Sequence, residues 1–289
     1  MSGGPDSLAL LLLAHAARPE ALEAATVDHG LRPDSAAEAR HVAAVCAALS
    51  IRHEVLRVEV VAGNLQANAR TARYGALDDW AASRGIERLA TAHHADDQAE
   101  TVLMRLNRGS GVAGLAGIRE RLACAGRNAT IVRPLLRWRR VELARIVENS
   151  PFTAVADPSN HDPAFDRVRM RQALAAMDWL DPAAIARSAA LLAEAGEALE
   201  WLALEEREAQ VERTEQGYRY RSQSRSRLQV IYVLRSLMGR LDRSASLSAL
   251  ARVVDEAKPG RPRNLGGVLF TLESEGVWRL ELEPPRRTG

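Results

Sequence analysis

The stretch with the clearest chemical potential lies at the start of the sequence, where two glycines precede an apolar run that predicts a helix. Glycine lets the backbone approach an oxyanion closely, and the first turn of a helix offers unpaired N–H groups and partial positive charge. A plain Gly-rich turn would have the same composition, and the residues alone leave that alternative open. The predicted phosphate-binding loop consists of Ser2, Gly3, Gly4, Pro5, Asp6 and Ser7.

Asp6 is the unusual member of this loop because a carboxylate repels phosphate. Its presence is explained if it binds a Mg²⁺ ion shared with the phosphates, or if it only stabilises the helix N-terminus. The sequence has a single lysine, Lys258, far from the loop. A Walker-type loop needs a lysine after its glycines, so this loop belongs to a different class.

A second polar group runs from His93 to Thr101. Asp97 and Glu100 are three residues apart on a predicted helix, so their carboxylates share one face. Two such acids can bind a metal ion, transfer protons or hold an ammonium group, although acids are also common in a solvated first turn. Asp96 fits the N-cap of this helix. His93 and His94 are adjacent at a strand end and should point in opposite directions, which weakens a joint metal site.

Two arginine-rich segments could hold phosphates, because the guanidinium group binds them in a bidentate manner. Surface ion pairs would give the same composition. The first segment contains Arg70, Arg73 and Tyr74 on one helical side, and the second contains Arg167, Arg169 and Arg171 in alternation after Asp157, Pro158, Ser159 and Asn160.

The elements that must position these residues alternate along the first part of the chain. Hydrophobic periodicity predicts helices over about 5–17, 35–49, 64–83, 97–108 and 141–149, and strands over about 22–27, 51–60, 86–91 and 130–134. Alternation of this kind predicts an α/β fold with a parallel sheet covered on both faces. Ligands bind such sheets beyond the carboxyl ends of the strands, where both Asp28-His29-Gly30 and the His93–Asp97 segment fall.

The sequence predicts two domains, over residues 1–178 and 179–289. A nucleotide-binding sheet needs a strand that leads into its first glycine loop, and here the loop begins at residue 2, so we expect the first strand to be missing. Beyond residue 178 the patterns predict helices over about 181–212, 228–241 and 246–256 and a β hairpin over 264–282.

Composition narrows the class of protein. The chain has 289 residues, of which 47% are hydrophobic and 26% charged, with a net charge of +2. These values are ordinary for a globular protein, and no apolar run reaches the length of a membrane span, so we expect a cytoplasmic protein without a membrane partner. Cys46 and Cys124 lie far apart in the sequence, which argues against zinc-finger or iron–sulfur ligation.

Taken together, these motifs resemble those of the tRNA(Ile)-lysidine synthases, a family of PP-loop ATP pyrophosphatases. The similarity covers most of residues 2–175, and the segment His-His-x-Asp-Asp-Gln-x-Glu-Thr is its most specific part. The segments that carry it are 2–7, 26–33, 63–74, 92–101, 103–111 and 157–171. This chain departs from the family in having Val168 where asparagine is frequent, and in a short C-terminal part.

The resemblance implies a doubly wound PP-loop sheet with a smaller, mainly helical C-terminal domain that binds tRNA. It implies ATP and Mg²⁺ as cofactors, tRNA(Ile) and L-lysine as partners, and leaves a homodimer as one compatible assembly. The resemblance also implies a role for individual residues. The catalytic residues would be Asp6, Asp97 and Arg169, with Asp6 also a metal ligand, and lysine would be bound by Asp97 and Glu100. ATP would be bound by Ser2, Gly3, Gly4, Pro5, Asp6, Ser7, Asp28, His29 and Gly30, and the tRNA phosphates by Arg70, Arg73, Arg105, Arg167, Arg169 and Arg171.

The implied reaction has two steps. The C2 oxygen of the first anticodon cytidine attacks the α-phosphate of ATP and releases pyrophosphate, and the ε-amine of lysine then attacks C2 and releases AMP. Two alternatives remain at this point. A tRNA cytidine thiolase could use the same loop but would need well-placed cysteines, and a non-catalytic RNA-binding protein could retain the motifs without the activity.

Overall fold

A computed structural model describes residues 1–30, 35–61, 63, 65–123, 128–155, 166–223, 225–274 and 276–284. The helices are α1 Pro5–Ala17, α2 Ser35–Ala48, α3 Leu65–Arg84, α4 Ala95–Leu106, α5 Val112–Leu115, α6 Arg140–Glu148, α7 Asp166–Ala175, α8 Pro182–Gln210, α9 Arg227–Arg240 and α10 Leu247–Asp255. The strands are β1 Glu23–Asp28, β2 Arg52–Arg57, β3 Arg88–Ala90, β4 Arg121–Leu122, β5 Thr130–Val132, β6 Val211–Arg213, β7 Gly217–Arg221, β8 Arg263–Leu265, β9 Val268–Ser274 and β10 Val277–Leu282.

The first compact unit comprises residues 1–104 and 117–189. β1 pairs in parallel with β2, and β3 pairs in parallel with β5, to which β4 adds an antiparallel edge. These pairs belong to two separate sheets. Helices alternate with the parallel strands, as an α/β fold requires. Within the described residues no strand precedes α1, and the glycine loop follows Met1 directly.

α1 forms because its sequence provides both a start signal and an apolar core face. Gly4 occupies the N-cap in an extended conformation, and Pro5 stands at the first helical position, where its missing N–H costs nothing. Four consecutive residues from Leu8 to Leu11 are buried. Together with Val42, Val45 and Leu143 they contribute to the main hydrophobic cluster of this unit, which fixes the glycine loop at one end of a rigid helix.

The second unit comprises residues 105–116 and 190–289. Its sheet is antiparallel and has the strand order β6-β7-β10-β9-β8. α9 is buried along most of its length and packs with α10 and the sheet around Leu234, Leu250 and Phe270. The sequence predicted the three helices and the β9–β10 hairpin. It did not predict β6 or β7, although Tyr218 and Tyr220 alternate with arginines there in the manner of a half-buried strand.

The change from the first unit to the second at Ala189–Ala190 falls inside α8, whereas the predicted boundary lay at 178/179. The predicted boundary stays a prediction. Over the described part of the chain, the model contains no helix that is both long enough and apolar enough to cross a membrane.

Candidate functional site

The glycine loop is held in a shape that a larger residue at position 3 would disturb. Gly3 has φ of +76°, a left-handed conformation that glycine adopts readily. Its carbonyl accepts a hydrogen bond of 2.9 Å from the backbone N–H of Val155. A Cβ atom at this position would lie 3.0 Å from Val155 Cγ2 and 3.3 Å from Val42 Cγ2. The close approach to two side chains and the positive φ both explain why glycine stands there.

The two serines of the loop bond to the loop itself. Ser7 Oγ donates to the Gly4 carbonyl at 3.0 Å and accepts from the Ser2 backbone N–H at 3.3 Å. The two hydroxyls are 3.1 Å apart. These bonds hold the loop in one conformation at the N-terminus of α1, with Asp6 in the first helical turn.

A buried histidine joins the glycine loop to α4. His94 is 1% exposed, and its Nε2 lies 3.5 Å from Asp6 Oδ2 and 3.5 Å from Asp97 Oδ2. The backbone N–H of Asp97 donates to His94 Nδ1 at 3.3 Å, which leaves Nε2 to carry the proton that faces the two carboxylates. One imidazole therefore connects the acid of the predicted phosphate loop with an acid of the predicted lysine site.

The charges of this group shift its pKa values. Burial alone would lower the pKa of His94, but the hydrogen bond to Asp6 and the charges of Asp97, Asp6 and Asp96 outweigh burial and raise that pKa. Burial alone would raise the pKa of Asp6, but the hydrogen bond and charge of His94, together with Arg140 and Arg171, outweigh burial and lower it. Both shifts reflect the attraction between the His94 imidazole and the Asp6 carboxylate.

The N-cap of α4 differs from the prediction. The helix begins at Ala95, so His94 rather than Asp96 is the residue before it. The His94 backbone N–H donates to Asp97 Oδ2 at 3.2 Å, which makes a reciprocal cap with the bond from Asp97 N–H to the imidazole. Asp96 instead accepts from the Arg140 backbone N–H at 2.8 Å and pairs with the Arg139 guanidinium at 3.3 Å. It anchors the start of α6.

Glu100 is already paired in this structure. Its side chain is 1% exposed, with Oε2 3.1 Å from Arg167 Nε and Oε1 2.7 Å from Arg171 Nε. Arg167 also donates to Thr101 Oγ1 at 3.2 Å. Glu100 therefore attaches α7 to α4, and its proposed contact with lysine stays a prediction.

The three alternating arginines do not act as one set. They lie on α7, and in a helix residues four apart share a face whereas residues two apart do not. Arg167 and Arg171 accordingly converge on Glu100. Arg169 is 59% exposed and pairs with Asp166 instead. The catalytic role predicted for Arg169 stays a prediction, with its side chain on a different face from its two neighbours.

Asp28, His29 and Gly30 follow β1 at its carboxyl end, as predicted. Gly30 N–H donates to Asp28 Oδ1 at 2.9 Å, and this bond, with a second one from Ser35, lowers the pKa of Asp28. His29 Nε2 lies 3.4 Å from Arg73 Nη2. Burial and the charge of Arg73 lower the pKa of His29. The turn after β1 is thus tied to α3.

His93 points away from His94, as their adjacency predicted. Its Nδ1 is 3.0 Å from Thr91 Oγ1. Burial lowers its pKa to about 4, and the charges of Arg133, Arg167 and Arg70 add to burial while Asp97 opposes it. Arg70 also stacks over the Tyr74 ring at 5.0 Å. Arg70 and Arg167 therefore lie within electrostatic reach of one imidazole, although they come from different helices.

Arg105 lies at the C-terminal end of α4, where Nη1 donates to the Gly114 carbonyl at 2.8 Å. The segment Asp157 to Asn160 and the residues Leu31 to Pro33 lie outside the described residues, and so does Cys124. Sequence reasoning missed the roles of His94, Arg139 and Arg140. The only signal was the position of His94 directly before a helix that carries three acids.

Asp6 meets the requirement for one Mg²⁺ ligand. Its Oδ1 is buried and has no hydrogen-bond partner among the described residues. Mg²⁺ is usually held by one or two carboxylates and by phosphate oxygens of a substrate, so a complete protein cage is not required. In keeping with this, the described part of the chain contains no group of three or more His, Cys, Asp or Glu side chains that could hold a metal.

Comparisons with known proteins agree with this geometry. The PP-loop domain family matches residues 1–177. The tRNA(Ile)-lysidine synthase of Zymomonas mobilis is 39% identical over 294 residues, which cover 99% of this chain and 88% of the relative. That of Novosphingobium aromaticivorans is 51% identical over 203 residues, which cover 70% of this chain and 62% of the relative. That of Ruegeria pomeroyi is 45% identical over 208 residues, which cover 70% of this chain and 49% of the relative.

A solved structure supports the fold alone. The U34-tRNA thiolase NcsA from Methanococcus maripaludis, described with its [4Fe-4S] cluster, superposes with a TM-score of 0.58 at 18% identity. The match covers 67% of this chain and 71% of the thiolase. The predicted α/β PP-loop fold class is confirmed by this match and by the family model. The match to this chain spans 62% of the length of the Novosphingobium relative and 49% of the length of the Ruegeria relative, so both relatives are considerably longer than the matched region.

Proposed function

Because the chain belongs to the tRNA(Ile)-lysidine synthase family of PP-loop proteins, we propose that it is a cytoplasmic ligase that joins L-lysine to a cytidine of tRNA. The target is C2 of the wobble cytidine in tRNA(Ile) with a CAU anticodon. ATP is cleaved to AMP and pyrophosphate, and the product is lysidine. The homodimer that the resemblance leaves as one compatible assembly stays a prediction.

One observation carries the proposal: His94 Nε2 lies at 3.5 Å from both Asp6 and Asp97. Asp6 belongs to the loop that would receive the phosphates of ATP, and Asp97 to the helix that would receive lysine. An enzyme that first activates a base with ATP and then attacks the same carbon with an amine needs these two subsites next to each other. A single buried imidazole provides that adjacency.

The glycine loop would bind pyrophosphate through backbone N–H groups at the start of α1. Those groups and the helix dipole stabilise the negative charge of the leaving pyrophosphate. A Mg²⁺ ion held by Asp6 Oδ1 would neutralise phosphate charge during this first step. Asp28, His29 and Gly30, at the end of β1, would contact the rest of the nucleotide, since ligands bind at this edge of a parallel sheet.

Asp97 is the acid best placed to receive lysine. Unlike Asp96 and Glu100, it pairs with no arginine among the residues that the structure describes. It could hold the α-ammonium, or take a proton from the ε-amine, which must be deprotonated to attack C2. Glu100 would act together with Asp97 either by direct contact or by holding Arg167 and Arg171. The arginines of α3 and α7 would face the tRNA phosphates.

The test follows lysine and ATP in the same reaction. With tRNA(Ile) carrying a CAU anticodon, radiolabelled lysine should enter the tRNA in amounts that match AMP release. A tRNA with cytidine replaced by uridine at the wobble position is the matched control. Pyrophosphate release that depends on tRNA but not on lysine would locate the first step. AMP formation without lysine incorporation would contradict the proposal.

The thiolase alternative depends on reactive cysteines. Cys46 is buried in the α1–α2 core, and burial raises the pKa of its thiol, so it is poorly suited to carry sulfur. We expect Cys46→Ser and Cys124→Ser to retain lysine ligation. Incorporation of sulfur instead of lysine into the tRNA by the wild-type chain, lost in these variants, would favour the thiolase. Failure of the wild-type chain to bind ATP would favour the non-catalytic alternative.

A further inference from the structure

Two exposed tryptophans lie close to the start of α6 and the start of α8. Trp138 is 38% exposed and Trp179 is 77% exposed. Exposed indoles on a folded surface are informative because Trp normally gains much from burial. We define the tryptophan patch as Arg137, Trp138, Val141, Met177, Trp179 and Arg187, all of which belong to the first compact unit.

Ion pairs hold the two parts of the patch together. Arg139, next to Trp138, donates through Nη1 to Asp181 Oδ1 at 3.3 Å. Asp181, two residues after Trp179, also caps α8 by accepting from the backbone N–H groups of Ala183 and Ala184 at 2.9 and 3.1 Å. The segments that carry the two indoles are therefore joined by a direct bond between their neighbours.

The backbone that presents Trp138 is fixed at both ends. Its N–H donates to the Leu135 carbonyl at 2.9 Å, and its carbonyl accepts from the Ala95 N–H at 2.9 Å. Leu135 and Leu136 are buried at 3% and 8% exposure, so the same loop inserts its leucines into the core and leaves the indole outside. A side chain on an ordered backbone loses little conformational entropy when it binds a partner. Trp138 is thus suited to stacking.

The position of the patch is set by α4. Ala95, which bonds Trp138, follows His94 directly, and Asp96 binds both the Arg139 side chain and the Arg140 backbone. The Trp138 backbone therefore contacts the first residue of α4, the helix that carries Asp97.

Arginines, together with the acids Asp178 and Asp181, lie in or next to the segments that carry the indoles. Arg137 and Arg140 form no ion pair with any residue that the structure describes, and Arg187 is 70% exposed with a single long contact of 3.7 Å to Asp181. Aromatic side chains among arginines provide both a stacking surface for unpaired bases and charge for the phosphates between them.

We propose that the tryptophan patch binds unpaired nucleotides of the RNA substrate, with bases stacked on Trp138 and Trp179 and Arg137 on a backbone phosphate. The inference rests on the proposed function, which supplies RNA as the substrate. It adds a binding surface outside the arginines of α3 and α7. The stacked bases are those that flank the reacting cytidine, since the patch adjoins the helix that carries Asp97.

The test measures affinity for an anticodon stem–loop RNA and for a fully paired RNA duplex. Trp138→Ala should weaken stem–loop binding about fivefold to a hundredfold, the range for loss of one base stack, and leave duplex binding unchanged. Trp138→Phe should retain most of the affinity because it keeps an aromatic face. Trp179→Ala should behave like Trp138→Ala. Val55→Ala, which shortens a 40% exposed side chain on β2 of the same unit, is the control and should have no effect.

Salt dependence separates stacking from charge. Trp138→Ala should lower the affinity without changing the slope of log Kd against log salt. Arg137→Gln should reduce that slope by about 0.7, the value for one phosphate contact on a single strand. A mere loss of local structure would change both quantities in both variants, and that result would overturn the assignment.

Unchanged stem–loop affinity in both tryptophan variants would overturn the assignment, and so would an equal loss in Val55→Ala. A raised ATP KM in Trp138→Ala with unchanged RNA affinity would also overturn it, because the indole would then stack on adenine. The proposed function fails separately. If the wild-type chain forms lysidine and the variants match it, only the patch is wrong. If RNA binding depends on the tryptophans and no lysidine forms, only the reaction is wrong.

Discussion

Replacing Glu100 by Gln gives the sharpest test of how α4 and α7 cooperate. The substitution keeps the size of the side chain but removes its charge and places an amide NH₂ group against a guanidinium. The present carboxylate is 1% exposed and receives one arginine on each oxygen, at 2.7 and 3.1 Å. The amide oxygen of Gln replaces only one of the two carboxylate oxygens, so one hydrogen bond is lost and both guanidinium groups lose their counter-charge.

The expected loss of stability follows from these contacts. A hydrogen bond to a charged group contributes about 1.5–3 kcal/mol, and breaking a fully buried pair costs about 3–5 kcal/mol. The Arg167 and Arg171 side chains are 44% and 29% exposed, so water can replace part of the lost interaction and the lower range applies. We expect a loss of about 2–3 kcal/mol in the first unit, or a Tm lower by about 4–12 °C for a unit of this size.

The same variant tests lysine binding. If Glu100 contributes to the lysine site, the KM for lysine should rise about tenfold to a hundredfold while tRNA-dependent pyrophosphate release without lysine stays largely intact. Asp97→Asn is the comparison, because Asp97 pairs with no arginine among the described residues and Asn keeps an oxygen that can accept from the His94 N–H: it should raise the lysine KM and lower Tm by less than Glu100→Gln does. An unchanged Tm in Glu100→Gln would refute the structural reasoning. Collapse of the first step with an unchanged lysine KM would mean that these acids serve ATP or the metal.

Two further predictions concern neighbouring residues. Asp6→Ala should abolish AMP formation because it removes the proposed Mg²⁺ ligand beside the phosphate loop; normal pyrophosphate release by this variant would disprove that role. The pKa of His93 lies at about 4, below its usual value, so only the unfolded chain binds its proton between pH 6.5 and 4. Its contribution to stability is therefore complete above pH 6.5 and falls by roughly 2 kcal/mol by pH 5. His93→Asn should remove this part of the pH dependence in thermal denaturation, and identical pH profiles for the two proteins would contradict the assignment.

The elements near the site could be predicted because local signals specify them. Gly4 and Pro5 mark the N-terminus of α1, and the apolar run after them predicts a buried helix. The carboxyl ends of β1 and β3 could be located from strand patterns, which placed His29 and His93 at one edge of the fold. Each of these inferences needs only residues that are close together in the sequence.

The pairings that define the site could not be predicted in this way. Arg167 and Arg171 looked equivalent to Arg169 because alternation along the sequence says nothing until the segment is known to be helical. The partner of Glu100 is more than sixty residues away, and so is the Asp6 carboxylate that meets His94. In the second unit, β7 was missed because its arginines suggested an exposed loop, whereas pairing with β10 buries Tyr220.

The three acids of α4 show how stability and function are divided on one helix. Asp96 pairs with Arg139 and accepts a hydrogen bond from the backbone at the start of α6. Glu100 pairs with Arg167 and Arg171 of α7. Asp97 caps its own helix and lies 3.5 Å from His94 Nε2, and it forms no ion pair with an arginine among the described residues. A cationic substrate gains most from a carboxylate whose charge is not already matched, because it need not displace a protein cation. If Asp97 receives the amine of lysine as proposed, its neighbours hold the scaffold in place while Asp97 binds the substrate. Because all three acids share one rigid helix, substitutions among them should be strongly non-additive in double-mutant cycles that measure Tm and lysine KM together.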